Sequence, residues 1–189
     1  NSNHMLLALN DSDTVDFSWV YSYYHLLGFE SECPDYTMGV LYSGRAFDKK
    51  HKMNFDEWFY DEVGGLAVVK SSDIYFSLFC GLHGSSHGHA SLGAISLEMD
   101  GAPFITHPGR YTYAECEKRV HFKSERMQNT VLVEGGHYPS IESSWGYHWI
   151  AKPLSMQMKK EDELYYFEAQ WSIPMKDNET SSRAYVSRK

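Results

Sequence analysis

The sequence has few cysteines, no long apolar run and no basic excess, and each shortage excludes a class of protein. Its three cysteines, Cys33, Cys80 and Cys116, are too few and too scattered for a disulfide framework or a cysteine-type zinc site. No apolar run approaches the roughly 20 residues that a membrane-spanning helix needs. The net charge of −8 is unlike the basic excess that is typical of nucleic-acid binders.

The acidic charge is concentrated in the first third of the chain. Residues 1–62 hold 11 acidic and 4 basic side chains, whereas residues 63–189 hold 14 and 13. The nearly neutral second part leaves room for a local site that binds an anionic sugar. The opening segment NSNHMLLALN is too short and polar to resemble a secretory signal peptide.

Local patterns divide the chain into a helical beginning and a strand-rich remainder. Residues 17–27 have apolar side chains at helical spacing before Gly28, which predicts a helix, and residues 29–62 are interpreted as a connection. After Gly64 the pattern favours short strands with turn signals between them, so the expected fold is an antiparallel β-sandwich or barrel. The expected strands are residues 66–69, 74–79, 92–99, 103–106, 130–133, 164–171 and 184–186, with a hairpin turn at 100–101.

Histidine is the most informative residue type, because seven of the ten histidines lie between His83 and His148. On a strand, His87 and His89 would point to the same face about 6–7 Å apart and would address one pocket. Imidazole is a common metal ligand and the usual general base near neutral pH. Taken alone, the pair is equally compatible with two polar residues at the start of a strand.

A cupin-type metal barrel is disfavoured by the residues that follow this pair. That pattern needs Glu four or five residues after His-x-His, where this sequence has Gly93 and Ala94. A metal-dependent oxygenase on a β-barrel is therefore the weakest of the functional alternatives.

Six motifs follow one another over residues 64–136: GGLAVV, HGHAS, a hairpin, ITHPGRYTY, KRVHF and QNTVLVEGG. In order and spacing they resemble the heparinase II/III-like family, which has a Gly-Gly strand, HGHAD, a hairpin, VDPGTYxY, an Arg-x-Tyr-Phe segment and HNTVxVDG. The resemblance implies a helical toroid followed by a β-sandwich of the supersandwich type. Residues 1–62 are then expected to be the end of the toroid and a connection, and residues 63–189 a sandwich truncated at its C-terminus.

The same resemblance implies a function and several site residues. The family acts on uronic-acid polysaccharides such as heparan sulfate or alginate, and a related branch epimerises uronates. His87 matches a histidine of the active-site cleft, and His89 matches a zinc ligand. A periplasmic or secreted location is implied as well.

The implied metal site departs from the family pattern at two positions. His107 stands at the position of the ligating Asp, and Gln128 stands where the downstream His of HNTV is expected. Zinc accepts His, but the anionic ligand is lost and Gln is a poor ligand. Zinc on His89 and His107, joined by His121 or His137, is one reading; a hydrogen-bonded polar cluster of His89, His107 and Gln128 is the other.

Lyase chemistry on a uronate requires neutralisation of the carboxylate, a base for the C5 proton and an acid for the departing O4. In the family these groups come mainly from the toroid, so the isolated chain is expected to be inactive. Tyr111 and Arg119 are candidates for binding the sugar and its carboxylate, with an exposed pair at a strand end as the alternative. The leading hypothesis is a fragment of a polysaccharide lyase acting by β-elimination. The alternative is a non-catalytic carbohydrate-binding or structural domain.

Overall fold

The computed structural model of the chain describes residues 9–12, 29–30, 51–52, 57–136, 140–141, 143–175 and 182–189, with the backbone alone at 29–30, 51–52 and 140–141. One α-helix, α1 (Glu117–Lys123), and short 3₁₀ turns at Ser85–His87 and Glu125–Met127 lie in this part of the chain. The strands of the described residues are β1 (Phe29–Glu30), β2 (His51–Lys52), β3 (Trp58–Asp61), β4 (Leu66–Lys70), β5 (Ile74–Phe79), β6 (Ala94–Met99), β7 (Ala102–Ile105), β8 (Ser140–Ile141), β9 (Tyr147–Trp149), β10 (Lys152–Glu161), β11 (Leu164–Pro174) and β12 (Arg183–Arg188). The helix expected over residues 17–27 lies outside the described residues.

The larger sheet is an antiparallel meander of five strands in the order β3-β4-β5-β6-β7. The β6–β7 connection is the expected hairpin: Asp100 and Gly101 have φ values of 51° and 73°, as a tight two-residue turn requires. The expected domain boundary after residue 62 falls between β3 and β4, two strands that pair in this sheet.

The smaller sheet is formed by β10, β11 and β12, again antiparallel. Ala169, Trp171 and Ile173 alternate along β11 and are completely buried, because that face of the strand is turned to the core. The core joins the two sheets, since Ala67 and Leu78 of the larger sheet belong to one apolar cluster with these residues. Two short pairs complete the strands, β1 with β2 in parallel and β8 with β9 antiparallel.

The core explains why one predicted strand begins late. A Cβ at Gly93 would lie 2.2 Å from the ring of Trp171, and Gly93 has a φ of 71°. Only glycine fits this close approach, and its left-handed backbone separates residue 92 from the strand that begins at Ala94. The expected strand over residues 92–99 is therefore shorter than predicted.

The strand predicted over residues 130–133 is wrong. Val131 and Val133 pack against the core as the apolar alternation requires, but the segment joins no ladder of strands. Hydrogen bonds that involve side chains hold the start of the segment: the Thr130 hydroxyl donates to the Leu92 carbonyl, and the Asn129 carbonyl accepts from Arg188 Nη1 at 2.7 Å. Alternate side chains can therefore be buried in a segment that is not a strand of a sheet.

In the described residues, no helix has the length and apolar character needed to cross a membrane. Cys80 is buried, as expected of a small apolar side chain, and burial raises the pKa of its thiol to about 11. Cys116 is half-buried and free, and Cys33 lies outside the described residues.

Candidate functional site

The histidine-rich segment forms a turn instead of the expected strand. Gly84 and Ser85 have left-handed backbone conformations, with φ values of 77° and 61°, and residues 85–87 follow as a single 3₁₀ turn. The premise that His87 and His89 alternate along a strand is therefore wrong. The turn nevertheless directs both imidazole rings toward the same group, the carboxylate of Asp11.

Asp11 collects four hydrogen bonds from three side chains. His87 Nδ1 donates to Oδ2 at 2.9 Å, and His89 Nε2 donates to Oδ1 at 2.9 Å. Arg119 donates from Nη1 to Oδ1 at 3.2 Å and from Nη2 to Oδ2 at 2.9 Å. These four residues are called the Asp11 cluster below.

The residue before Asp11 attaches the same segment to the sandwich. The Asn10 side-chain oxygen accepts from the backbone N–H of His89 at 3.1 Å and from the Ser91 hydroxyl at 2.9 Å. Ser91 replaces the Asp of the family motif, and here it serves as a donor that holds this segment. The side chains of Asn10 and Asp11 thus both hold this segment against the sandwich.

The charges of the Asp11 cluster follow from its burial and its hydrogen bonds. Burial alone would raise the pKa of Asp11, but hydrogen bonds from Arg119, His89 and His87 outweigh it and lower the pKa to about 2. Burial lowers the pKa of His89 to about 4 despite the nearby carboxylate. At neutral pH the site therefore holds an ionised Asp11, a neutral His89 and a charged Arg119.

Arg119, expected to bind the sugar carboxylate, lies on helix α1 and is completely buried, so the alternative of an exposed residue at a strand end is wrong for it. Its Nη1 also donates to the Thr112 carbonyl at 2.7 Å. The carboxylate that Arg119 binds is therefore that of Asp11, and its guanidinium is not open to a sugar.

Lys123 lies one helical turn after Arg119 and occupies the same buried face of α1. Its Nζ donates to the Ser86 carbonyl at 2.6 Å and to the Ser144 carbonyl at 2.9 Å, so it joins the histidine turn to the loop before β9. Burial lowers the pKa of this ammonium group to about 8.

Two exposed aromatic rings border His87. The Trp145 ring lies 5.6 Å from the His87 ring and the Tyr113 ring lies 6.1 Å from it, both edge-to-face. Tyr113 and Trp145 are stacked at 5.8 Å, and the Arg119 guanidinium lies 4.2 Å from the Trp145 ring on the buried side. His87, Tyr113 and Trp145 are called the aromatic cluster below.

Tyr111 is exposed but takes no described part in the aromatic cluster. It has a left-handed φ of 62°, and its ring packs at 5.1 Å from Phe122 of α1. Tyr113, the second tyrosine of the YTY motif, is the one that lies beside His87. The Arg110 guanidinium covers Tyr113 at 3.9 Å from the ring centre.

The histidines expected to bind zinc are engaged by other side chains. His107 Nδ1 donates to Gln128 Oε1 at 3.3 Å, and Gln128 Nε2 donates to the Phe122 carbonyl at 2.9 Å, which fixes the amide orientation. His89 Nε2 is bound by Asp11. In the part of the chain that the structure describes, no three His, Cys, Asp or Glu side chains gather as metal ligands. His89 and His107 are therefore not arranged as the zinc ligands of the family pattern, and His137 lies outside the described residues.

A third histidine near the site, His83, is half-buried. Within the described part of the chain, neither ring nitrogen of His83 has a hydrogen-bond partner, and its ring lies edge-to-face with Tyr147 at 4.5 Å. The Tyr147 hydroxyl donates to the Gly88 carbonyl at 2.9 Å. Burial lowers the pKa of His83 to about 4, so this ring is neutral at physiological pH.

Fold and site together define a two-sheet β-sandwich with an exposed imidazole, that of His87, whose Nδ1 is bound by the buried carboxylate of Asp11. The sequence profile of the family described as "Heparinase II/III-like, C-terminal" matches residues 58–173, so the chain belongs to that family. A search of curated proteins gives no match.

Solved structures give the same fold. Heparan sulfate lyase HepC from Pedobacter heparinus aligns with a TM-score of 0.63 at 13% identity over 99% of this chain, and a mutant of it aligns with a TM-score of 0.62. A crystal structure of heparinase III aligns with a TM-score of 0.53 at 12% identity over 96% of this chain. The chain spans 28% of the length of each of these proteins. At such identities the likeness establishes the fold.

Proposed function

We propose that this chain is part of a polysaccharide lyase that cleaves a uronic-acid-containing acidic polysaccharide, such as heparan sulfate or alginate, by β-elimination. Family membership and the lyase names of the structural neighbours support this proposal. The observation that carries it is His87, whose side chain is 64% exposed and yet held at Nδ1 by a buried carboxylate. An exposed ring in a fixed orientation suits acid–base chemistry better than a structural role.

The aromatic cluster supplies a surface for the sugar beside His87. Trp145 and Tyr113 are 37% and 47% exposed, and aromatic faces suit the apolar face of a pyranose ring. Tyr111 is exposed on the same segment and stays a candidate sugar contact. Arg119 takes a different role from the one expected, because it acts on the sugar only through Asp11.

In the proposed reaction the C5 proton leaves to a base, the C4=C5 double bond forms, and O4 departs with a proton from an acid. His87 takes part at the cleft side, as the base or as a partner of the uronate carboxylate. The remaining groups are supplied by the helical domain, so the isolated chain is inactive. No step is assigned to zinc, because His89 and His107 are bound by Asp11 and Gln128. A periplasmic or secreted location belongs to the same proposal.

The alternative is a non-catalytic carbohydrate-binding or structural domain of the same family. The observation that favours it is the His107–Gln128 hydrogen bond, which stands where the family pattern has metal ligands. A lyase part and a carbohydrate-binding domain both predict that the chain binds acidic oligosaccharides, whereas a purely structural domain does not. They differ in whether His87 contributes to turnover once the helical domain is present.

The first experiment tests the isolated chain with heparan sulfate, alginate and hyaluronan oligosaccharides. Calorimetry should detect binding of at least one of them, and ultraviolet absorbance should detect no unsaturated uronate product. Absence of binding to all three would contradict the lyase and the carbohydrate-binding function and would leave a structural domain. Clear turnover would mean that this chain itself supplies the acid and the base.

The second experiment separates the two histidines. His87→Ala should weaken oligosaccharide binding, or turnover by the full-length protein, with little change in melting temperature, because the ring is exposed. His89→Ala should lower the melting temperature first, because its side chain is 1% exposed and bound to Asp11. A reversed pattern would show that the roles are exchanged.

A further inference from the structure

We propose that Asp11 is a positioning residue that holds the neutral His87 ring in one tautomer, with the proton on Nδ1 and the lone pair of Nε2 directed toward the cleft. The inference rests on the proposed function only where it assigns a role to that lone pair, which is to accept a proton from the sugar. The tautomer itself is a property of this chain.

The chemistry of the pair dictates which ring nitrogen carries the proton. Oδ1 and Oδ2 of Asp11 both face the guanidinium of Arg119, an arrangement that requires an ionised carboxylate. An ionised carboxylate can only accept hydrogen bonds. The His87 nitrogen that lies 2.9 Å from Oδ2 must therefore be protonated, and that nitrogen is Nδ1.

Asp11 cannot turn away to release this constraint. Oδ1 is held by His89 Nε2 and Arg119 Nη1, and Oδ2 is held by Arg119 Nη2. The preceding residue, Asn10, is bound to His89 and Ser91, which fixes the backbone of the segment. A carboxylate with so many fixed donors is already oriented before any ligand arrives.

The His87 ring is restrained on its sides as well as at its base. Trp145 and Tyr113 meet it edge-to-face, with interplanar angles of 78° and 89°. Trp145 is itself held in place, because Glu115 accepts hydrogen bonds from the backbone N–H of the neighbouring Ser144 at 3.0 and 3.2 Å. Flipping the ring to offer Nε2 to Asp11 would disturb these contacts.

The consequence concerns the direction of proton movement. With Nδ1–H committed to Asp11, the exposed edge of the ring presents an acceptor and not a donor. His87 is therefore prepared to accept a proton from the sugar, and the carboxylate stabilises the imidazolium that results. In the opposite tautomer His87 would face the sugar as a donor and could hold its carboxylate without accepting a proton.

The test is the tautomeric state of His87 in the intact chain, read from nitrogen-15 NMR of the imidazole rings. The neutral ring should show a protonated-type Nδ1 and an unprotonated-type Nε2, and the resonances are assigned by their loss in His87→Ala. A protonated Nε2, or a mixture of both forms, in the unmodified chain overturns the proposal without any further variant.

A variant pair then assigns the cause to Asp11. Asp11→Asn should abolish the single tautomer, so that the two nitrogen resonances of His87 move toward intermediate values, while those of His107 stay in place. Asp73→Asn, a matched change in the exposed turn between β4 and β5, should leave both rings unchanged. An Asp11→Asn protein that folds and keeps the Nδ1–H form overturns the role of Asp11.

The outcomes for the inference and for the proposed function are separable. The NMR measurement needs no polysaccharide, so a single Nδ1–H tautomer in a chain that binds no oligosaccharide would remove the function and keep the inference. If the chain binds an oligosaccharide while His87 carries its proton on Nε2, the inference is removed and the proposed function is kept. If Asp11→Asn fails to fold, the unmodified chain still decides whether the tautomer exists.

Discussion

Arg119 donates both of its Nη groups to the carboxylate of Asp11, a residue that precedes it by 108 positions. Both side chains are buried, and the guanidinium is completely shielded from solvent. The pair connects a short segment near the beginning of the chain to the only described α-helix. The Asp11 carboxylate of this pair also accepts the hydrogen bond from Nδ1 of the exposed His87.

The first prediction concerns this ion pair. Arg119→Met should lower the free energy of unfolding by about 3–5 kcal/mol, because it leaves a buried carboxylate without its cation. The double change Asp11→Asn with Arg119→Met should cost clearly less than the two single changes added together. Urea unfolding measures all three. Lys160→Met, which breaks an exposed pair with Glu57, is the control and should have almost no effect. Additive losses would contradict the interpretation.

The second prediction concerns stability in acid. His83 has its pKa lowered by burial from 6.5 to about 4, so the unfolded ring takes up a proton near pH 6.5 while the folded ring stays neutral. The free energy of unfolding should therefore fall as the pH decreases from about 6.5 to about 4. His89 contributes in the same direction and over the same interval.

The variant His83→Phe isolates the contribution of His83 to the pH dependence of the free energy of unfolding. It keeps an aromatic ring beside Tyr147 and removes two buried nitrogens that have no hydrogen-bond partner among the described residues. Urea unfolding at pH 8 measures the packing effect of the change. At pH 5 the variant should gain stability relative to the unmodified chain, with roughly one proton fewer taken up on unfolding. An equal difference at both pH values would show that His83 does not titrate in this interval.

The third prediction compares two exposed tryptophans that lie four residues apart. Trp145 stacks on Tyr113 in the aromatic cluster, whereas Trp149, on β9, has no described ring contact. Trp145→Ala should weaken the binding of an acidic oligosaccharide roughly two- to tenfold, since an aromatic contact contributes about 0.5–1.5 kcal/mol. Trp149→Ala should leave the affinity unchanged in the same calorimetric titration. Equal effects would mean that the sugar binds elsewhere.

The fourth prediction concerns zinc. Added zinc should not raise the melting temperature of the unmodified chain, because His89 Nε2 is bound by Asp11 and His107 faces Gln128. Gln128→His supplies a further imidazole beside His107 and should create a zinc-dependent rise, since a ligand that binds only the folded state stabilises it. A rise in the unmodified chain would restore the zinc site implied by the family pattern.

The sandwich could be predicted because its strands carry local signals. The alternation of Tyr165, Phe167, Ala169 and Trp171 specifies one buried face, and Asp100–Gly101 specifies a hairpin. The prediction for residues 130–133 was wrong because apolar alternation indicates which side chains are buried but not whether a neighbouring strand is available. The same alternation occurs in a strand of a sheet and in a segment outside any sheet.

The site was only partly predictable. His87 stood out through its motif, but nothing in the sequence singled out Asp11, because its partners lie 76 to 108 positions away and leave no local pattern. Trp145 lies beyond the last matching motif and carried no signal. The motif also drew attention to Tyr111, although Tyr113 is the tyrosine that borders His87. Which of two nearby tyrosines meets the site depends on a left-handed backbone at residue 111.

Asp11 lies outside the segment that defines the family, and this limits how the domain can be exchanged between proteins. A genetic rearrangement that transfers residues 58–173 as a unit carries along His87, His89 and Arg119 but leaves their carboxylate behind. The recipient would inherit a guanidinium sealed in the interior without a counter-ion. Inheritance of this sandwich with its buried ion pair therefore requires that the coding sequence for the segment containing Asp11 be transferred as well.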